Sequence, residues 1–303
     1  MLTNNKNLKG LVIRATDGEI GTVDQLYFDD QVWAIRYLTA ETGNWLDGRK
    51  VLISPFSILQ TDWKANRIDV SLTRKQVENA PNIDTHRPVS RQHEVEYFGY
   101  YGYPYYWDGP YMWGPSYYPA GVVPTMASQS VVAERIRRES ADSHLRSTEA
   151  VAGYHIDAKD GEIGHVDRFI VDDAAWAIRY LDVATKNWWP GKNVLLSPAW
   201  VERVSWEESK VFVAVTREAI KTCPEYVDTV PITREYENIL YPSFSIRLLL
   251  EEIKRNMPNA GEPVSRLRAA LLERHHAANQ FARRSQGSHY RELPGLPEVA
   301  SRR

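Results

Sequence analysis

The stretch WAIRYL, Trp33 to Leu38, decides the fold, because it returns unchanged as Trp176 to Leu181. Around it DGEIG, Asp17 to Gly21, recurs as Asp160 to Gly164, and the two motifs keep the same spacing from each other in both places. The register runs without a gap from Gly10/Gly153 to Arg91/Arg234, and more than half of the positions from Asp17 to Pro55 are identical to their partners. An unbroken match of this length means one small fold written twice.

Within the motif the side chains alternate. Trp33, Ile35 and Tyr37 fall on one face of a strand, and Ala34, Arg36 and Leu38 on the other. Two partly apolar faces suit a curved sheet, with Arg36 at an edge or paired with Asp24 or a neighbouring carboxylate. Asp17-Gly18 reads as a hairpin turn, since glycine accepts the positive φ that tight turns require. Gly21 inside the return strand, Ile20 to Phe28, signals a bulge or a close backbone approach. Strands are expected at Gly10 to Ala15, Val51 to Ile53, Phe56 to Trp63 and Arg67 to Leu72. Thr73 with Gln76 reads as a capping box that starts a short helix ending before Pro81. Short strands broken by closely and regularly spaced turns are the pattern of a small all-β barrel.

The bulk composition sets few limits. A chain of 303 residues has room for two or three domains. A formal net charge of −2 gives no general pull toward nucleic acid or an anionic membrane. The single cysteine, Cys223, rules out an internal disulfide. No apolar run approaches the roughly 20 residues that span a bilayer, and MLTNNKNLKG carries no signal-like apolar region. A cytoplasmic location is expected, with peripheral association at an inner membrane as the variant.

The chain divides on composition into four parts: 1–96, the first β domain with a C-terminal helix; 97–145, a Tyr/Gly/Pro-rich linker; 146–241, the second β domain; and 242–303, a helical and partly disordered tail. Ser90 is expected to cap a helix. From Tyr97 to Tyr118 the density of Gly and Pro argues against a long helix, leaving either a mobile segment or an arm packed on a β domain. In the tail, Phe244 to Asn256 and Glu262 to Arg283 have helical spacing.

GEIG with VD, then DD, WAIRYL, NW and VL.SP, resembles the PRC-barrel family over Leu8 to Pro81 and Val151 to Pro224. That family includes the cytoplasmic domain of the photosynthetic reaction-centre H subunit and the C-terminal domain of the ribosome-maturation factor RimM. The resemblance implies a mainly β protein: two tandem six-stranded barrels with short flanking helices and a helical C-terminal segment, acting as a docking module. A non-enzymatic adaptor for a protein partner is the favoured expectation. The alternatives it implies are a peripheral accessory of a photosynthetic or other electron-transfer complex, and a ribosome- or RNA-linked factor.

No Gly-rich phosphate loop, nucleophile elbow or HExxH motif is present, and no cofactor or metal is expected. The repeated acids Asp17, Glu19, Asp24, Asp29 and Asp30 read first as turn residues. His275-His276 lacks a third ligand at metal spacing. The Tyr-rich linker has rings for stacking but almost no Lys or Arg for phosphates, so specific nucleic-acid binding is not expected. The expected partner-contact residues are the loop tryptophans Trp45, Trp188 and Trp189, with Trp200, and the linker's Tyr105, Tyr106 and Trp107, because aromatics anchor interfaces. The two copies are also expected to pack against each other about a pseudo-twofold.

Overall fold

A computed structural model describes residues 1–81, 91–119, 145–185, 192–221, 223–229, 232, 236 and 240. The chain divides into two compact units, Met1–Glu237 and Asn238–Arg303, and the strands among the described residues belong to the first. The tail helices expected over Phe244 to Asn256 and Glu262 to Arg283, the helix cap expected at Ser90, and His275-His276 lie outside the described residues.

The protein is mainly β. Among the described residues fourteen strands join in one mixed sheet. In the first half these are β1 (Leu2–Asn4), β2 (Val12–Ala15), β3 (Gly18–Asp29), β4 (Ala34–Glu41), β5 (Lys50–Ile53), β6 (Ile58–Asp62) and β7 (Arg67–Val70). In the second they are β8 (Leu145–Ser147), β9 (His155–Ala158), β10 (Gly161–Asp172), β11 (Ala177–Ala184), β12 (Asn193–Leu196), β13 (Val201–Ser205) and β14 (Lys210–Val213). Each half repeats the same ladder. β3 pairs with β2 and β4, β4 with β5, β7 with β6, and β2 runs parallel to β7. The second half matches each of these pairings, including the parallel pair of β14 with β9.

Local chemistry explains much of this. Gly21 sits at a register shift opposite β2, and a Cβ there would come 2.1 Å from the Glu41 carbonyl oxygen. Gly164 stands in the same position, 2.1 Å from the Ala184 oxygen. Both the bulge and the close approach read from DGEIG are therefore present, and no other residue fits without moving a backbone. Asp17 and Asp160 each accept the first backbone N–H of a short helix, Arg74 or Arg217, at 2.7 Å. The Thr73–Gln76 capping box forms as expected.

Two expectations change. Trp33 is not in the strand: it closes the turn after β3, donating its N–H to the Asp29 carbonyl at 2.7 Å with φ 57°. Trp176 also takes the left-handed conformation, at φ 50°. Left-handed backbone costs a non-glycine residue on the order of 1 kcal/mol, offset here because both indoles are buried and Trp33 stacks on Phe28 at 5.3 Å. The second change is a helix, Arg91–Tyr101, which runs through the point where the linker was expected to begin. Gly102, at φ 70°, reverses the chain only after it.

The halves are joined by exchange. β1 pairs with β10 of the second half, Leu2 opposite Asp172, while β8 pairs with β3 of the first, Leu145 opposite Asp29. Between them Ala34 of β4 faces Ala177 of β11. Ile35 N–H donates to the Trp176 carbonyl and Ile178 N–H to that of Trp33, both at 2.7 Å. Each of these contacts has its counterpart at the equivalent position of the other copy.

Candidate functional site

Residues 91–119 form an arm over β4 of the first half, and the site is built where the arm meets Arg36. The reason the arm packs is its ring content. Phe98 is fully buried and lies edge-on to Tyr37 and Phe56, with centroids at 6.3 and 5.9 Å. Tyr97 meets Tyr37 at 5.2 Å, and Tyr103 stacks on Phe56 at 5.5 Å. Each such pair adds about 0.5–1.5 kcal/mol beyond area burial. Burial raises the Tyr97 and Tyr37 hydroxyls well above the ordinary phenol range, and pushes Tyr103 up to about 12. All three remain neutral hydrogen-bonding groups at physiological pH.

Several polar atoms that enter this aromatic layer find partners. Tyr97 donates to the Leu52 carbonyl at 3.1 Å and accepts from Ser54 N–H at 3.0 Å. Glu94, 2% exposed, accepts from Tyr37 at 3.0 Å and from Tyr106 at 2.7 Å. Trp113 reaches past the first half and donates its indole N–H to the Ala175 carbonyl at 2.9 Å.

Arg36 is the pin. Its side chain is 2% exposed, and the guanidinium lies 3.5 Å from the Tyr106 ring centroid and 4.9 Å from that of Trp113. Nη1 donates to the Met112 carbonyl at 2.7 Å and Nη2 to Asp29 at 3.3 Å. Asp29 also caps the β3–β4 turn, accepting from Gln31 N–H at 3.0 Å. The carboxylate that pairs with Arg36 is thus the neighbouring one. Asp24 instead binds Lys50, and Asp167 binds Arg168 and Lys6. The Nε–H of Arg36 is buried and has no hydrogen-bond acceptor among the described residues.

Beside Arg36 a cavity of about 570 Å³ opens to the surface, within the range of ligand and peptide pockets. Its walls include Arg36, Asp29, Tyr106, Trp107, Met112 and Gly109. Val32, Tyr111 and Tyr117 also line it, and these three are 43%, 42% and 63% exposed. The loop that carries the rim is held tight: Tyr111 and Gly114 exchange backbone hydrogen bonds at 3.0 and 3.1 Å. A Cβ on Gly109 would meet the Gly114 carbonyl carbon at 2.4 Å, so glycine is required at this crossing.

The residues singled out from sequence scatter. Trp107 is half-buried, lines the cavity and stacks on Tyr105 at 4.8 Å. Tyr105 and Tyr106 are buried, 5% and 3% exposed, because the arm is packed and not free. Trp200 is also buried, at 7%. Trp45 is half-buried, its indole N–H on the Ile20 carbonyl and the Arg74 guanidinium 4.4 Å above its ring; it closes over the start of β3. Trp188 and Trp189 lie outside the described residues. From sequence Arg36 is expected at an edge or paired with a carboxylate, and the pair is what forms. Glu94, Trp113 and the rim residues Val32, Tyr111 and Tyr117 were missed. One signal was available: both copies carry the arginine, but only the first is followed by a run of rings.

The other chemical candidates resolve locally. Asp29 and Asp172 cap turns, Asp30 binds Arg146 at 2.7 Å, and Trp63 donates to Asp173 at 2.9 Å. Cys223 is buried, which pushes its thiol up to about 12. No helix among the described residues is long and apolar enough to cross a membrane. No protein-family model matches the chain, and no curated protein matches it.

Proposed function

We propose that this chain is a tandem PRC-barrel docking protein that captures an extended segment of a partner protein in the aromatic cavity over Arg36. The family reading is supported by the strand order in each half, β5-β4-β3-β2-β7-β6 and its counterpart, with β5 and β6 joined only by a short turn at Ser54 to Ser57. That is the order of a six-stranded barrel whose seam lies between β5 and β6.

The observation that carries the docking function is the cavity itself. Aromatic walls and three exposed rim residues, Val32, Tyr111 and Tyr117, make a concave surface that water serves poorly. An extended segment with a proline or aliphatic anchor meets those requirements. Its anchor covers the rings, and its extended backbone follows the rim.

The test is site-directed photocrosslinking in the native host. A benzophenone side chain at Val32 should trap one discrete partner protein, while the same group at the equivalent position of the second half, Ala175, should not. Adding Tyr111→Ala and Tyr117→Ala should abolish the adduct and leave the melting temperature nearly unchanged, since both residues lie on the surface and their rings pack on each other. An adduct unchanged by the double substitution would sink the proposal.

A further inference from the structure

We infer that the arms Leu2–Leu8 and Leu145–Val151 form a homotypic association surface: the partner each half is built to hold is a second copy of the repeated unit, supplied here by the other half of the same chain. Four features support this. First, the exchange is reciprocal to the residue. Thr3 faces Val171 and Arg146 faces Phe28; Asn4 faces Ile170 and Ser147 faces Tyr27. Contacts that map onto each other under one offset define an isologous interface, the same patch meeting itself.

Second, each arm carries the same local device. Asn4 caps the helix Asn5–Leu8 and Ser147 caps Thr148–Val151, and each helix ends on a fully buried residue, Leu8 or Val151. Third, each arm turns into its own half at a left-handed glycine, Gly10 at φ 83° or Gly153 at φ 89°. Each glycine N–H donates at 2.7 Å to a carbonyl on β3 or β10, Val23 or Val166. These are the hinges of a domain swap, kept the same in both copies.

Fourth, the polar contacts across the interface differ while the backbone pairing does not. The first arm places Lys6 on Asp167 at 3.0 Å and Asn5 Oδ1 on Phe169 N–H at 2.9 Å. The second places Arg146 on Asp30 at 2.7 Å and Ser147 on Gln25. Side chains have diverged around a shared main-chain template. The remaining contact, Ala34 opposite Ala177, is the non-hydrogen-bonded pair of an antiparallel ladder, flanked by two equivalent bonds, and it lies where a twofold axis would pass.

The full chain with a protease site written into residues 125–130 provides the test. After cleavage the two pieces should run as one 1:1 particle on native size exclusion at micromolar concentration and separate only in denaturant. Thr3→Pro with Arg146→Pro, which removes a ladder donor from each arm, should make the cut protein come apart while the uncut protein keeps its β-rich circular dichroism. In the uncut chain, Ala34→Cys with Ala177→Cys should form a disulfide, because this pair type brings Cα atoms to about 4.5 Å. On refolding the denatured mixture, particles holding two second-half pieces should appear beside the 1:1 form. Pieces that part in native buffer, or a refolded mixture in which second-half pieces never pair with each other, would overturn the inference.

Discussion

Arg36 and Arg179 occupy the same place in the same hexapeptide, yet one is buried and the other exposed. In the first half the arm 91–119 lies over the arginine, which then holds Met112, Tyr106 and Asp29 at once. Further along the strand the contrast reverses. Thr39 is a buried neutral residue, and its counterpart Asp182 is a buried acid. Asp182 meets Arg168 at 3.1 Å and accepts from Asn193 at 2.9 Å, where the first half has Gln25 and Lys50. The backbone is held constant while charge moves around it. A duplicated frame can therefore keep its ladder and still give each copy a different surface.

The largest expected effect separates the two arginines. Arg36→Ala leaves Asp29 buried without its cation and releases the arm, so it should cost about 3–5 kcal/mol. Arg179→Ala, on an exposed side chain, should stay within about 0.5 kcal/mol. Urea denaturation of both variants checks this, and equal losses would show that the arm is not pinned through Arg36.

A middle-sized effect tests the buried acid. Burial raises Asp182 to about 6, above its ordinary range, against the pull of Arg168. The folded state therefore binds a proton that the unfolded state has released, and stability should fall as pH rises through about 6. Asp182→Asn removes that loss. The variant should be more stable than the parent at pH 7.5, by roughly 2 kcal/mol, and its stability should be flatter between pH 5 and 7.5. A parent with no slope in this window would mean that Arg168 and Asn193 fully compensate the burial.

The smallest effect compares the two helix caps. Thr73 takes part in a complete capping box with Gln76, whereas Thr216 accepts from Ala219 N–H at 3.3 Å, with alanine where the box needs a glutamine. Thr73→Ala should cost about 1 kcal/mol and Thr216→Ala less. Thermal melts of the pair give the comparison.

Much of this was legible because it depends on neighbours in sequence. The Asp-Gly turns, the glycine at the bulge and the capping box all follow from residues within a few positions of each other, and the repeat is read by matching two stretches of the chain. Trp33 was misplaced because alternation alone cannot show that a strand starts one residue late, and the left-handed turn is stabilised by burial that the pattern does not contain. The helix through Tyr101 was missed for a similar reason. Glycine and proline weaken a helix, but Tyr97 and Phe98 are locked against Tyr37, and packing outweighs propensity. Tyr105 and Tyr106, expected with Trp45, Trp107, Trp188, Trp189 and Trp200 as contact residues, are buried in the packed arm, and ring content in the sequence does not show which rings are covered.

By itself the sequence determined that one β unit is written twice and that β3 and β10 each bend at a glycine, Gly21 or Gly164. Only the tertiary structure decided which half each arm completes and which arginine is covered. The physical reason is that the two copies offer nearly the same strand edges and the same WAIRYL face. Local chemistry is then degenerate between them, and only contacts made between segments far apart in the chain distinguish β3 from β10 as a partner.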